Sequence, residues 1–261
     1  MIDIHSHILP GVDDGTDDRE TAIAMLRQAA ADGISATVAT PHANMTYRFD
    51  FDRCREELVR LREAVSAPDL YLGCEVHLSP ENVEAVLRAP HHYTLNGRDC
   101  LLVELPDQIH PPAAEVALEM LGESGLRLIV AHPERNSYLQ RHPSYAGDLF
   151  KHGYFLQLTA HSLLGQFGNA ARSTGEEFLR KHWVHLIASD SHNLTSRRQV
   201  LSGAYHQVER LCGRDTAELL FRRNPQAVLF GGDLSLPPSG CRRWTEKMPL
   251  FRTALSEKPL I

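Results

Sequence analysis

The chain has 261 residues, 43% of them apolar and 23% charged, enough for one large domain with a substantial core and ordinary for a globular enzyme. Its net charge of −6, with both signs mixed along the chain, lacks the basic stripe of a nucleic-acid-binding protein. No apolar run approaches the roughly 18 residues of a membrane span, and the start Met1-Ile2-Asp3-Ile4-His5 has neither a basic region nor an apolar signal core, so a cytoplasmic location is expected.

Strand-like apolar runs fall at 1–5, 35–40, 69–75, 100–105, 127–132, 154–158 and 185–189. Segments of helical periodicity lie between them. The first starts at Asp17 and Glu20 in a capping-box-like pattern, carries Ala22, Leu26, Ala29 and Ala30 at helical spacing, and stops at Gly33. Further helices are expected at 52–65, 80–87, 112–124, 144–152, 171–182, 197–211 and 215–223. Seven strands alternating with helices predict parallel βα units in an α/β fold, as an open doubly wound sheet or a closed barrel. No Pro/Gly/Ser linker divides the chain. Residues 1–233 are expected to form one α/β domain, and 234–261, with Pro237, Pro238, Arg242, Arg243 and Lys247, a surface-packed or partly disordered tail. The five cysteines are scattered without zinc or redox spacing and are expected as reduced thiols in or near the core.

Fifteen histidines are the more informative count. His5 and His7 close the first strand two residues apart, so both imidazoles aim at one point. Asp14 follows in the turn Pro10-Gly11-Val12-Asp13-Asp14-Gly15. His42 follows the second strand, Glu75 ends the third, Glu104 the fourth and His132 the fifth, and Asp190 and His192 follow the seventh. In parallel α/β folds functional sites lie at the carboxyl ends of strands. Imidazole and carboxylate without thiolate suit zinc, manganese or iron, and so many ligands exceed the needs of one ion, so two or three divalent ions are expected. Four carboxylates against three such ions leave about two positive charges, which favours a phosphate dianion and lowers the pKa of a bound water. Arg135 and Arg197 sit on the loops that should surround this centre and supply bidentate donors for phosphate, with the adjacent Arg198 as a substitute for Arg197.

The set His5-x-His7, Asp14, His42, Glu75, Glu104, His132 and Asp190-x-His192 resembles the polymerase and histidinol phosphatase (PHP) family of metal-dependent phosphoesterases. More narrowly, the stretch from Asp3 to Gly15, Ala131-His132-Pro133-Glu134-Arg135 and Ser189-Asp190-Ser191-His192-Asn193-Leu194 are similar to the bacterial protein-tyrosine phosphatases of capsule and exopolysaccharide operons, the CpsB/YwqE type. The likeness covers roughly residues 1–230. It implies a distorted (β/α)7 TIM-like barrel, the PHP fold, with a trinuclear site. His5, His7, Glu75 and Asp190 would hold one ion, Glu75, Glu104 and His132 the second, and Asp14, His42 and His192 the third. Arg135 and Arg197 match the positions that contact phosphate. The resemblance also implies a partner: phosphotyrosine on a tyrosine-autophosphorylating kinase with a tyrosine-rich tail. Two features depart from the pattern: Asn136 stands where a tyrosine often follows the arginine, and the tail has no clear counterpart.

The function expected is hydrolysis of a phosphomonoester, with phosphotyrosine foremost, since a phenolate leaving group of pKa about 10 needs little protonation. A small-molecule phosphatase acting on histidinol phosphate or a nucleotide is the alternative within the enzyme class. A binding barrel that keeps metal for structure alone would be expected to lose ligands. Cys54 and Arg60 match the C-x5-R spacing of cysteine phosphatases, but the residues between them are acidic and helix-forming, where that chemistry needs a loop of backbone amides and a depressed thiol pKa. His77 and His161 lie near the expected site but are assigned no role.

Overall fold

The computed structural model describes residues 1–106 and 111–237. Among the described residues, nine strands form the scaffold: β1 (Ile2–Ser6), β2 (Ala36–Ala39), β3 (His42–Ala43), β4 (Asp69–Leu72), β5 (Glu75–His77), β6 (Cys100–Glu104), β7 (Arg127–Ala131), β8 (Phe155–Thr159) and β9 (Val184–Ala188). They pair in parallel as a three-stranded sheet, β1-β2-β4, and a six-stranded sheet, β3-β5-β6-β7-β8-β9. The nine strands occupy the seven predicted positions because two of them are broken. Pro41 separates β2 from β3 and has no N–H to donate. Gly73 separates β4 from β5, where an added Cβ would lie 2.5 Å from Leu95 Cδ2. The ladder continues across both breaks through Gly73 N to Ala39 O and Glu75 N to Pro41 O. Asp190 N donates to His5 O and His7 N to Ser191 O, so the last strand position lies beside the first and the ring is a distorted (β/α)7 barrel.

Alternation along the strands divides the apolar residues. Ile4, Val38, Leu102, Ile129, Ala131, Leu186 and Ala188 form one buried cluster with Val228 and Leu229 of helix Asn224–Phe230. Leu101, Val103, Leu128, Val130, Leu156, Leu158 and Ile187 belong to a second, larger cluster with helix residues such as Leu118, Leu121, Phe178 and Val208. Helix Arg19–Ala31 begins at Asp18, whose side chain accepts from Thr21 N, one residue after the predicted start. Helices Phe51–Ala64, Pro80–Arg88, Pro111–Glu123, Ser144–Lys151 and Gly168–Arg180 follow the predicted segments to within a few residues. The segment predicted at 197–211 is helical only over Ser202–Cys212. Asn193 Oδ1 accepts from the amides of Thr195, Ser196 and Arg197, which holds that stretch as a turn. The helix starts where Asp32, at the end of helix Arg19–Ala31, accepts from Leu201 N and Ser202 N.

Cys54, Cys74 and Cys100 are buried free thiols, as expected, but Cys212 is disulfide-bonded. Of the predicted tail, residues 238–261 lie outside the described residues. Its described start is tied to the barrel by Asn224, whose side chain bonds both Ser235 N and Ser235 O.

Candidate metal centre

All nine predicted ligands converge at the carboxyl end of the barrel. His5 lies in β1 and His7 directly after it. Their Nε2 atoms are 3.1 Å apart, and Glu75 Oε2 lies 3.2 and 3.3 Å from them. Asp190 Oδ1 is 3.4 Å from both imidazoles. His42 opens β3, with Nδ1 3.0 Å from Glu75 Oε2 and Nε2 3.4 Å from Asp14 Oδ1. His192 Nε2 meets the same Asp14 oxygen at 3.4 Å. His132 Nε2 lies 2.8 Å from Glu75 Oε1 and 3.9 Å from Glu104 Oε1. Glu75 opens β5 rather than ending an unbroken third strand, because the break at Gly73 precedes it. His132 and Asp190 have φ of 31° and 52°, left-handed conformations that non-glycine residues adopt at a cost and that cluster at functional sites.

Ligand atoms lie close enough for single cations to span in four groups: His7, Asp14, His42 and His192; His5, His7 and Glu75; His5, His132 and Asp190; and His42, Glu75 and Glu104. The first contains the expected third set and adds His7. The second contains three members of the expected first set. The expected second set falls across two groups, Glu75 and Glu104 with His42, and His132 with His5 and Asp190, although His132 Nε2 lies within 3.9 Å of both Glu75 and Glu104.

Second contacts fix the imidazoles. Asp13, one residue before Asp14, is buried and accepts from Gly15 N and His42 N while its Oδ2 lies 2.7 Å from His7 Nδ1. Gln157, the one polar residue inside the run Phe155-Leu156-Gln157-Leu158, places Oε1 2.9 Å from His5 Nδ1, and its own Nε2 donates to Leu158 O. With Nδ1 of both rings so engaged, Nε2 carries the free lone pair. Gly15 is required by space: a Cβ there would lie 2.1 Å from His7 O. Sequence reading missed Asp13 and Gln157. An unexplained polar residue in an apolar strand was the available signal for Gln157.

The donor set fits cations. Glu75 Oε2, Asp190 Oδ1, His42 Nδ1 and His192 Nε2 are buried without a hydrogen-bond partner, a costly state that bound metal would relieve. Burial, with the Glu75 and Asp190 charges next, pushes the Glu104 carboxyl up to about 8. Burial resists ionisation of Glu75, yet the surrounding histidines, His5 first, hold it well below the usual carboxylate range. The His192 imidazole, 3.4 Å away, likewise holds Asp14 below the usual carboxylate range.

Both predicted arginines reach this cluster. Arg135 Nη1 and Arg197 Nη2 donate to Asp190 Oδ2, the latter at 2.6 Å, so one oxygen of Asp190 faces the histidines and the other the arginines. The adjacent Arg198 is exposed, and the bond to Asp190 is made by Arg197. Asn136, the departure from the tyrosine pattern, caps helix Ser137–Arg141 by accepting from Tyr138 N and Leu139 N. His161 is fully buried after β8, and burial, with repulsion from Arg198 next, lowers its pKa to about 4.

A parallel α/β barrel whose strand ends gather four carboxylates, five imidazoles and two arginines defines a metal-dependent hydrolase type of site. Residues 1–230 match the family model described as capsular polysaccharide synthesis, CpsB/CapC, and the chain belongs to that family. It is 34% identical over 253 residues to the tyrosine-protein phosphatase YwqE of Bacillus subtilis, covering 88% of this chain and 99% of the relative. It is 28% identical over 240 residues to the tyrosine-protein phosphatase CpsB of Streptococcus pneumoniae, covering 88% and 98%. A crystal structure from work on YwqE of Bacillus subtilis and CpsB of Streptococcus pneumoniae, described as metal-dependent tyrosine phosphatases, superposes with a TM-score of 0.84 at 32% identity, covering 93% of this chain and all of that one.

Proposed function

We propose that the protein is a metal-dependent protein-tyrosine phosphatase, and that His5, His7, Asp14, His42, Glu75, Glu104, His132, Asp190 and His192 hold two or three divalent ions of manganese, iron or zinc. The observation that carries this reading is the convergence of these nine residues around buried donor atoms that lack hydrogen-bond partners. When bound, the ions would supply Lewis acidity and an activated water. Arg135 and Arg197 bind the equatorial phosphate oxygens and stabilise the charge that develops on them. Asp190 couples the two halves, since its Oδ2 orients both guanidiniums. Asp13 and Gln157 keep His7 and His5 in the ligating tautomer.

The substrate is phosphotyrosine on a protein, namely a tyrosine-autophosphorylating kinase of capsule or exopolysaccharide synthesis. The capsular family description and the names of the relatives support this. So does the rim: the Asp14 side chain is 44% exposed and those of Glu104, Arg135 and Arg197 about a quarter, open to a side chain presented from outside. Among the described residues no helix is long and apolar enough to cross a membrane. The proposed location is the cytoplasm. Residues 1–233 are the proposed catalytic unit, with the remainder as an appendage.

Phosphate release from a phosphotyrosine peptide and from histidinol phosphate, each with manganese and with EDTA, tests the proposal. Manganese-dependent turnover of the peptide, abolished by EDTA, is the expected result. Turnover of histidinol phosphate alone would overturn it in favour of a metabolic phosphatase.

A further inference from the structure

Phe167 belongs to none of the three apolar clusters. It lies between the short helix Ala160–Leu163 and helix Gly168–Arg180. The loop that carries it is fixed by its own backbone bonds, Gly165 N to Ser162 O, Gln166 N to His161 O and Gly168 N to Gly165 O. Gly165 and Gly168 turn it with φ of 83° and 86°. The ring is half-buried, and both arginines lie near it: Arg135 Cζ is 4.3 Å and Arg197 Cζ 5.9 Å from the ring centroid.

Two guanidiniums that share one oxygen of Asp190 repel each other, and that carboxylate also faces the histidine cluster. Each arginine directs one N–H to Asp190 and keeps other donors for phosphate, so a single bond to the shared carboxylate leaves each guanidinium free to pivot about it. An aromatic face attracts cations through its quadrupole without occupying their N–H donors. It can therefore hold both guanidiniums before and after phosphate binds.

We propose that Phe167 is a positioning residue for phosphate binding: its ring, beside the shared bond to Asp190, holds Arg135 and Arg197 in place while their remaining donors engage the substrate. This rests on the reading of those arginines as phosphate ligands. A cation–π contact corresponds to about a twofold to thirtyfold change in affinity, with the larger values at desolvated sites.

The test uses the manganese-loaded full chain with Phe167→Leu, Phe167→Tyr and Phe167→Ala, read by KM and kcat on a phosphotyrosine peptide and by competitive inhibition with inorganic phosphate. Phe167→Leu keeps apolar bulk and removes the quadrupole. It is expected to raise the phosphate inhibition constant and KM about tenfold while kcat changes less than about threefold. Phe167→Tyr should restore wild-type values. In an Arg135→Ala background, the Leu change should cost much less. A phosphate inhibition constant within twofold of wild type in Phe167→Leu, while Arg135→Ala raises it, would overturn the proposal and leave the phosphatase reading standing. A rise in peptide KM without a rise in the phosphate constant would also overturn it, assigning the ring to the substrate's phenyl group. If Arg135→Ala and Arg197→Ala both leave the phosphate constant unchanged, the underlying assignment of the arginines fails as well. Should Phe167→Ala unfold, the Leu and Tyr variants still decide between these outcomes.

Discussion

Two regions of this molecule carry phosphatase-like sequence patterns, and the fold treats them oppositely. Cys54 and Arg60 have the spacing of a cysteine phosphatase loop, but they lie on helix Phe51–Ala64, where Cys54 is 2% exposed among Leu58 and Leu61. Burial, reinforced by the charges of Asp13 and Asp50, pushes the Cys54 thiol up to about 12, so no thiolate forms near neutral pH. Arg60 points to Glu56 and Glu57 on the exposed face. His5 and His7 are also fully buried, yet their imidazoles meet carboxylates at hydrogen-bond distances and are oriented by Gln157 and Asp13. Spacing acquires chemistry only when the backbone aims the side chains at each other. A strand end at the mouth of a barrel does so, and one face of an amphipathic helix packed on a core does not.

His5→Ala/His7→Ala should lower kcat/KM by about a thousandfold or more and release metal, as measured by elemental analysis, because several kcal/mol of Lewis-acid stabilisation disappear. Retention of activity and metal in that variant would remove the basis for the site. Arg135→Ala, which leaves the ligands in place, should cost about a hundredfold in kcat/KM with metal content unchanged. Asp13→Ala sharpens the contrast further. Loss of its contact to His7 Nδ1 should weaken metal affinity about tenfold to a hundredfold in a chelator competition, more than it disturbs thermal stability of the metal-free chain.

A fourth expectation concerns stability away from the site. His185 Nδ1 accepts from Leu156 N in the sheet, and burial lowers its pKa to about 4. The unfolded chain, with an ordinary histidine pKa of about 6.5, binds more protons between these values. Folding stability from this group is therefore complete above pH 6.5 and is lost as pH falls toward 4. His185→Gln, which keeps an acceptor that does not titrate, should flatten that part of a pH series of denaturant midpoints. The smallest effect is expected at Cys54: Cys54→Ala should leave kcat/KM within about twofold of wild type and lower stability by about 1 kcal/mol through lost packing. Thiol alkylation that abolishes activity of the folded enzyme would reverse the ranking of the two motifs.

Much of the site was legible because a βα repeat carries its functional residues at equivalent places. His5, His7, Glu104, His132, Asp190 and His192 were marked by their position at the ends of apolar runs. Asp13 and Asp14 illustrate the limit. Adjacent aspartates in one turn look alike, and only the fold directs Asp14 to His42 and His192 while burying Asp13 against His7. The same holds for Arg197 and Arg198: the turn that Asn193 organises places Arg197 against Asp190 and leaves Arg198 exposed. The left-handed backbones of His132 and Asp190 left no trace either, because neither residue is a glycine or an asparagine.

By itself the sequence determined the alternation of strands and helices, the chemical nature of the donors and their placement at strand ends, since periodicity and side-chain chemistry are local properties. The tertiary structure alone decided which donors share a point in space, through the breaks at Pro41 and Gly73, the pairing of Asp190 and Ser191 with His5 and His7, and the loop that brings Phe167 beside both arginines. These depend on contacts between residues far apart in the chain, and no local pattern encodes a distance.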